Sequence, residues 1–131
     1  MTGWLAGGEL EVVDLGAERS RVLVPVALDE PVFQGHYPGF PIFPGVCVVE
    51  CVRRAAVSTL PHVVRDEATP ELAEVVSARF LDPVAPGDRL AIDISWRRDG
   101  DGLSCAAVVS TGRGPAARMR LRFALAAVTG R

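Results

Sequence analysis

His36 sits inside the segment 31–45, which holds four of the ten prolines, three glycines and four of the eight aromatic residues in fifteen positions. Proline removes backbone freedom and glycine permits close approach, so a side chain in the middle is held still, as a catalytic group requires. An imidazole takes and returns protons near neutral pH; the plainer alternative is that His36 closes the turn by hydrogen bonding to backbone. Fourteen positions further on, Glu50 is an acid at about the second turn of an otherwise largely apolar helical segment. A buried carboxylate is costly unless paired. Glu50 is therefore either salt-bridged to Arg53 or Arg54 on the same helix or kept because a change of protonation there is useful. The helix start at Gly45 and Val46 offers free amide donors and the positive end of the helix dipole, which favour a carbonyl oxygen as it becomes an oxyanion. An imidazole, a desolvated carboxyl and an amide-lined anion site together match removal of the α-proton of a thioester with loss of a β-hydroxyl.

These groups need a helix and a sheet to position them. The helix is expected from about Gly45 to Leu60, with Pro44 before it and Pro61 ending it. Val46, Cys47, Val48, Val49, Cys51, Val52, Ala55, Ala56, Val57 and Leu60 leave only a narrow polar strip, so the helix is expected to be wrapped on nearly all sides. Residues 9–14 and 21–28 read as strands, the second apolar on both alternations and marked by Pro25 as an edge or bulge. Later, Val76, Ala78 and Phe80 form one alternating face, Leu90, Ile92, Ile94 and Trp96 another. After the turn Asp99-Gly100-Asp101-Gly102, Leu103, Cys105, Ala107 and Val109 return; after residues 111–115, Met119, Leu121, Phe123 and Leu125 follow. The order β-β-α-β-β-β-β predicts an α+β domain spanning 1–131, a curled antiparallel sheet around one long central helix.

Length and composition narrow the classes. One chain of 131 residues, 49% hydrophobic and 23% charged, is one domain with a real core. A formal charge of −2 gives no global attraction for nucleic acid. Apolar runs are broken by Pro and Gly before reaching membrane-spanning length, and Met1 to Gly8 lacks the basic start of a secretory signal. No membrane span and a cytoplasmic location are therefore expected. Cys47, Cys51 and Cys105 are an odd count, read as small buried hydrophobes without a disulfide or a metal.

The run from Phe33 to Val46, Phe-Gln-Gly-His-Tyr-Pro-Gly-Phe-Pro-Ile-Phe-Pro-Gly-Val, with Glu50 after it, closely resembles the active-site segment of the hotdog-fold 3-hydroxyacyl-acyl-carrier-protein dehydratases of fatty acid synthesis. Residues 78–88, Ala-Arg-Phe-Leu-Asp-Pro-Val-Ala-Pro-Gly-Asp, look like that family's later strand and turn, so the likeness runs from about residue 20 to the end. The resemblance implies a hotdog fold, six strands wrapped round the helix, in a dimer with two sites at the subunit interface. It implies His36 as the base on the α-carbon, facing Glu50 of the other subunit, which protonates or positions the leaving hydroxyl or water. It also implies that the Gly45 amide holds the thioester carbonyl beside Val46, that Phe33, Phe43 and Phe80 line an apolar acyl tunnel, and that no cofactor is used. Ordinary core packing is the alternative for the phenylalanines.

Two departures qualify the likeness. Where the family commonly has Gln four residues past the acid, Arg54 stands here, a charge able to pair with Glu50 and modulate it. The usual Tyr-Pro-Phe-Leu-like lead-in is replaced by Gly7-Gly8-Glu9-Leu10, which opens the tunnel mouth. Both suit a specialised member, for example of a polyketide pathway. Arg118, Arg120 and Arg122 alternate on the last strand, either as a solvated face or as a docking patch for an acidic acyl carrier protein and its phosphopantetheine phosphate. The partners expected are that carrier protein and a second hotdog subunit, identical or related, with higher oligomers open. The rival readings are a non-catalytic or half-site subunit of a heteromeric dehydratase, and a hotdog acyl thioesterase.

Overall fold

The computed structural model of the chain describes residues 7–29, 42–60 and 68–127. β1 (Glu11–Leu15) and β2 (Arg19–Pro25) precede α1 (Gly45–Ser58), and β3 (Ala68–Phe80), β4 (Arg89–Asp99), β5 (Gly102–Thr111) and β6 (Gly114–Ala127) follow. The strands form one six-stranded sheet in the order β1-β2-β4-β5-β6-β3, antiparallel at every pairing. The expected α+β class and element order are met.

The alternating faces of the last three strands are the core. Leu90, Ile92, Ile94 and Trp96 of β4, Leu103, Cys105, Ala107 and Val109 of β5, and Met119, Leu121 and Phe123 of β6 are all buried on the side that faces α1. Trp96 and Phe123 meet with ring centroids 5.7 Å apart and planes tilted by 50°, an arrangement that favours edge-to-face contact. Gly100, at φ +60°, makes the sharp β4–β5 reversal that a residue with a Cβ would adopt only under strain. The Ser104 hydroxyl, donating to Asp99 Oδ2 at 2.8 Å, ties the same hairpin.

Three sequence expectations change. Leu23 of β2 is only half-buried and its neighbours alternate between buried and exposed, so one face of this strand is covered and not two. β2 is also interior to the sheet; Pro25 is tolerated because it is the last residue of the strand, where its carbonyl accepts the Gly8 amide at 2.8 Å. The third change concerns α1. It buries Cys47, Val48, Cys51, Val52, Ala55 and Ala56, a stripe along one side, while Val46 on the other side is 74% exposed. A single sheet lies along one side of α1, and among the described residues the Val46 side of the helix is left uncovered.

β3 is longer than its alternating sequence suggested and lies at the sheet edge. Its ladder with β6 breaks register between Leu72 and Glu74 and again between Val75 and Ser77. Each bulge moves the alternation by one residue, which sets Val75 opposite Leu121 and Ala78 opposite Met119. The expected single face Val76, Ala78 and Phe80 is thereby interrupted.

Phe123 has no exposed surface and sits where β5, β6 and Trp96 meet. Phe123→Ala is expected to lower unfolding free energy by about 3–5 kcal/mol, read from urea titration. A loss below about 1 kcal/mol would contradict this packing.

Candidate active site

The start of α1 is fixed from outside the helix. The Phe43 amide donates to the Val84 carbonyl at 2.7 Å, and the two residues form an isolated antiparallel bridge with both side chains buried. The segment holding Val84 is itself clamped by Arg113, whose guanidinium donates to Asp82 at 3.1 Å, to both oxygens of Asp88 at 3.0 and 2.8 Å, and to the Pro83 carbonyl at 2.8 Å. Asp88 also accepts the Ala85 amide at 2.8 Å. The Arg113 guanidinium holds the Asp88 carboxyl below its ordinary range, against an opposing push from burial.

From Phe43 the chain passes through Pro44, extended at φ −62° and ψ 150°, into the first turn. The Cys47 and Val48 amides donate to the Pro44 carbonyl at 2.9 and 3.1 Å. The ladder thus begins at Cys47 and leaves the Gly45 and Val46 amides at the helix mouth. The Phe80 ring lies over Gly45: a Cβ added there would meet its Cζ at 2.9 Å, Cε1 at 3.1 Å and Cε2 at 3.2 Å. A cavity of about 320 Å³ opens beside them, lined by Gly45, Val48, Phe43, Phe80, Leu81 and Ala116 among others. Phe43 is 2% exposed and belongs to the core as well as to this lining; Phe80 is 51% exposed.

Glu50 is the acid of the same helix, and its environment corrects the sequence expectation. It is not enclosed: it lies on the side of α1 that the sheet leaves open, with its side chain 30% exposed. The Arg53 fork grips it, Nε donating to Oε1 at 2.9 Å and Nη2 to Oε2 at 2.8 Å. The hydrogen bond to Arg53 lowers the Glu50 pKa against the opposing effect of burial, with the charges of Arg53 and Arg54 adding to the lowering. Of the two arginines weighed as partners, Arg53 takes the carboxylate. Arg54 instead donates to the Gly8 carbonyl at 3.0 Å, tying the amino-terminal segment to the helix.

The structure brings Gly45, Val46, Phe43, Phe80 and Glu50 to the first turns of α1 and its rim. His36 and Phe33 lie outside the described residues. Arg118, Arg120 and Arg122 are on the outer face of β6 but do not act as three equals. Arg122 pairs with Asp99 at 3.3 Å. Arg118 stands opposite Arg79 of β3 and Arg120 opposite Ser77. Ser77, Arg79, Ala106, Val108, Arg118 and Arg120 line a shallow concavity of about 540 Å³ on that face. Arg79 was not legible as a member of this patch, because only the β3–β6 register, bulges included, puts it there.

Cys47 and Cys51 are buried in the helix stripe that meets the sheet, as small core residues are. Burial pushes the Cys105 thiol up to about 12, which leaves it a poor nucleophile. Among the described residues no helix is long and apolar enough to cross a membrane.

Comparison with known proteins gives one family. The ApeI-like family, described as ApeI dehydratase, matches residues 15–113. The chain is 39% identical over 98 residues to the 3-hydroxyacyl-acyl-carrier-protein dehydratase FabZ of Polynucleobacter necessarius, covering 74% of this chain and 66% of that protein. It is 45% identical over 85 residues to FabZ of Symbiobacterium thermophilum, covering 63% and 60%. With FabZ of Aeromonas hydrophila it is 33% identical over 111 residues, covering 81% and 72%. The chain thus spans 66% and 60% of the length of the first two of these relatives. Among solved structures, the dehydratase heterocomplex ApeI:P from Xenorhabdus doucetiae has a TM-score of 0.68 at 17% identity, over 89% of this chain and 99% of that one. The protein smu.793 from Streptococcus mutans, bound to acetyl CoA, has a TM-score of 0.73 at 14% identity, over 92% and 90%. At such identities the structures speak for the fold alone, the hotdog fold.

Gly45→Ala should force the Phe80 ring aside, while Ala on its own suits a helix better than Gly by up to about 1 kcal/mol. Gly45→Ala is therefore expected to be more favourable when Phe80→Ala is already present than in the wild-type chain, where the half-exposed ring must first move. Urea titration of the four proteins measures the coupling; additive effects would mean that the ring does not rest on Gly45.

Proposed function

The chain belongs to the ApeI-like dehydratase family, and from that premise we propose that it removes water from a 3-hydroxyacyl thioester on acyl carrier protein to give the 2-enoyl thioester. The observation that carries this reading is the pairing, on one helix, of open amides at Gly45 and Val46 with a carboxylate one turn further along at Glu50, with a mostly apolar cavity opening at Gly45. Removing a hydrogen from C2 places charge on the thioester oxygen, and an amide aimed at that oxygen is the donor the step requires. His36 is proposed as the base, by its match to the family's motif. Glu50 then meets the β-hydroxyl, and Phe80, Phe43 and Phe33 border the acyl chain. Protein groups supply every step of this chemistry, so no cofactor is proposed.

A second hotdog subunit fits the open edge of β3, where Val75, Val76, Phe80 and Leu81 are all more than 40% exposed. Pairing there would cover the exposed side of the Gly45 rim. The relative in the ApeI:P heterocomplex makes a related, non-identical subunit the specific alternative to a second copy. If this chain is the half-site member of such a pair, it dehydrates only with its partner. For the carrier protein, the patch proposed is Arg79, Arg118 and Arg120, since Arg122 is already engaged by Asp99.

The test is incubation of the purified protein with 3-hydroxyacyl-pantetheine and 3-hydroxyacyl-carrier-protein thioesters, followed by mass spectrometry. Loss of water is expected in the wild type, and a fall of at least about a hundredfold in His36→Ala. Release of free acid would replace the reading with a thioesterase; activity only after adding a related hotdog subunit would establish the half-site member. Charge reversal of Arg79, Arg118 and Arg120 is expected to raise KM for the carrier-protein substrate more than for the pantetheine one. Equal KM changes for both substrates would remove the docking patch.

A further inference from the structure

We infer that Arg53 is a positioning residue of the dehydration site: its guanidinium fork holds Glu50 as an acceptor, so that Glu50 orients the departing hydroxyl and does not donate the proton that turns it into water. This rests on the dehydratase reading above and says which of two roles Glu50 takes in it.

The geometry is specific. Both carboxylate oxygens are engaged by one planar fork, at 2.9 and 2.8 Å. A proton on either oxygen toward the fork would face an N–H, and one on an outer lone pair would weaken both bonds beside a fixed cation, so the fork favours the unprotonated acceptor. Each oxygen keeps a further lone pair with which to accept from a substrate hydroxyl or a water. Arg54 gives one hydrogen bond to the Gly8 carbonyl and acts on Glu50 through its charge. Among the described residues, the positions of β4, β5 and β6 that face the helix are apolar, and Glu71, Glu74 and Arg79 of β3 are exposed to solvent. Arg53 and Arg54 are the charges that act on the Glu50 carboxyl among the described residues, both in the same direction.

The elimination then balances as follows. The C2–H bond breaks and its proton passes to the base, while its electron pair forms the C2–C3 double bond. The C3–O bond breaks with its pair on oxygen. That oxygen takes a proton and leaves as water. With Glu50 held as an acceptor, the proton comes back from the base that took it, and the base returns to its starting form. Glu50 contributes by accepting the hydroxyl hydrogen bond and fixing the C3–O bond on the face from which C2 loses hydrogen.

The two roles predict opposite signs. An acceptor Glu50 fails when it is protonated, so Arg53→Met is expected to lower kcat/KM with a shortfall that grows as pH falls and is larger at pH 5 than at pH 8. Arg53→Lys, which keeps the charge but not the fork, is expected to recover part of the difference. The experiment is the pH dependence of kcat/KM for 3-hydroxyacyl-pantetheine dehydration in wild type, Arg53→Met and Arg53→Lys, alongside ¹³C NMR titration of the Glu50 carboxyl carbon. A rate for Arg53→Met above wild type near pH 6–7 would make Glu50 the donor and overturn the inference, as would superimposable profiles. Should Arg53→Met fail to fold, Arg53→Lys and Arg53→Gln carry the same comparison. A wild type that dehydrates nothing, alone or with a related hotdog subunit, sinks the dehydratase reading, whereas the NMR midpoints report separately whether Arg53 holds Glu50. Equal midpoints in wild type and variant would show that Arg53 does not hold Glu50 at all.

Discussion

The start of α1 is tied to the rest of the structure by a backbone hydrogen bond made outside the helix, from the Phe43 amide to the Val84 carbonyl. Among the described residues, the groups proposed for the site lie within about two turns of that point: the open amides of Gly45 and Val46, the Phe80 ring across them, and Glu50. Val84 holds its position because Arg113 gathers Asp82, Pro83 and Asp88 around it. That clamp is exposed, and exposed ion pairs contribute little to stability one at a time. Its value is geometric, since four convergent bonds from one guanidinium restrict a proline-rich segment that has no regular secondary structure of its own.

The same economy appears at Glu50. Seen from sequence alone, an acid in an apolar helix suggested a buried group whose charge is costly. The helix is apolar on more of its circumference than one sheet can cover, so Glu50 and Arg53 share the uncovered side with Val46, 74% exposed, and a half-buried Val49. Partial exposure makes the pair salt-sensitive and only weakly stabilising. Its effect on the carboxylate is chemical: two oriented donors fix where the remaining lone pairs point.

Local signals in the sequence were sufficient where structure is local. Pro44 and the apolar stripe gave the start of α1, and period-two alternation gave the inward faces of β4, β5 and β6 residue by residue. What was not legible depends on distant pairing. The bulges of β3 follow from its register with β6, and so does the approach of Arg79 to Arg118. Pro25 read as an edge signal, yet its strand is interior, because terminal position within a strand removes the need for a donor as well as edge position does. Arg53 holds Glu50, while Arg54 gives a hydrogen bond to the carbonyl of Gly8, forty-six residues away, a contact no local signal announces. For the site, the sequence motif supplied residue types and spacing; His36 itself lies outside the described residues, so its geometry rests on the motif.

The sheet ends in two very unequal borders. β1 presents five residues, with a register break between Val12 and Asp14, whereas β3 presents thirteen. Strands at open borders can recruit other chains, and what they build depends on which border meets which. Border β3 against border β1 of the next molecule is head-to-tail and could continue without limit, but only as many rungs can form as β1 is long. Border β3 against its own kind is self-complementary, has more than twice the length to use, and stops at two chains. Among the described residues, the shortness of β1 therefore limits how many rungs a head-to-tail contact could form, and extending it by a few regular, unbulged residues would lift that limit.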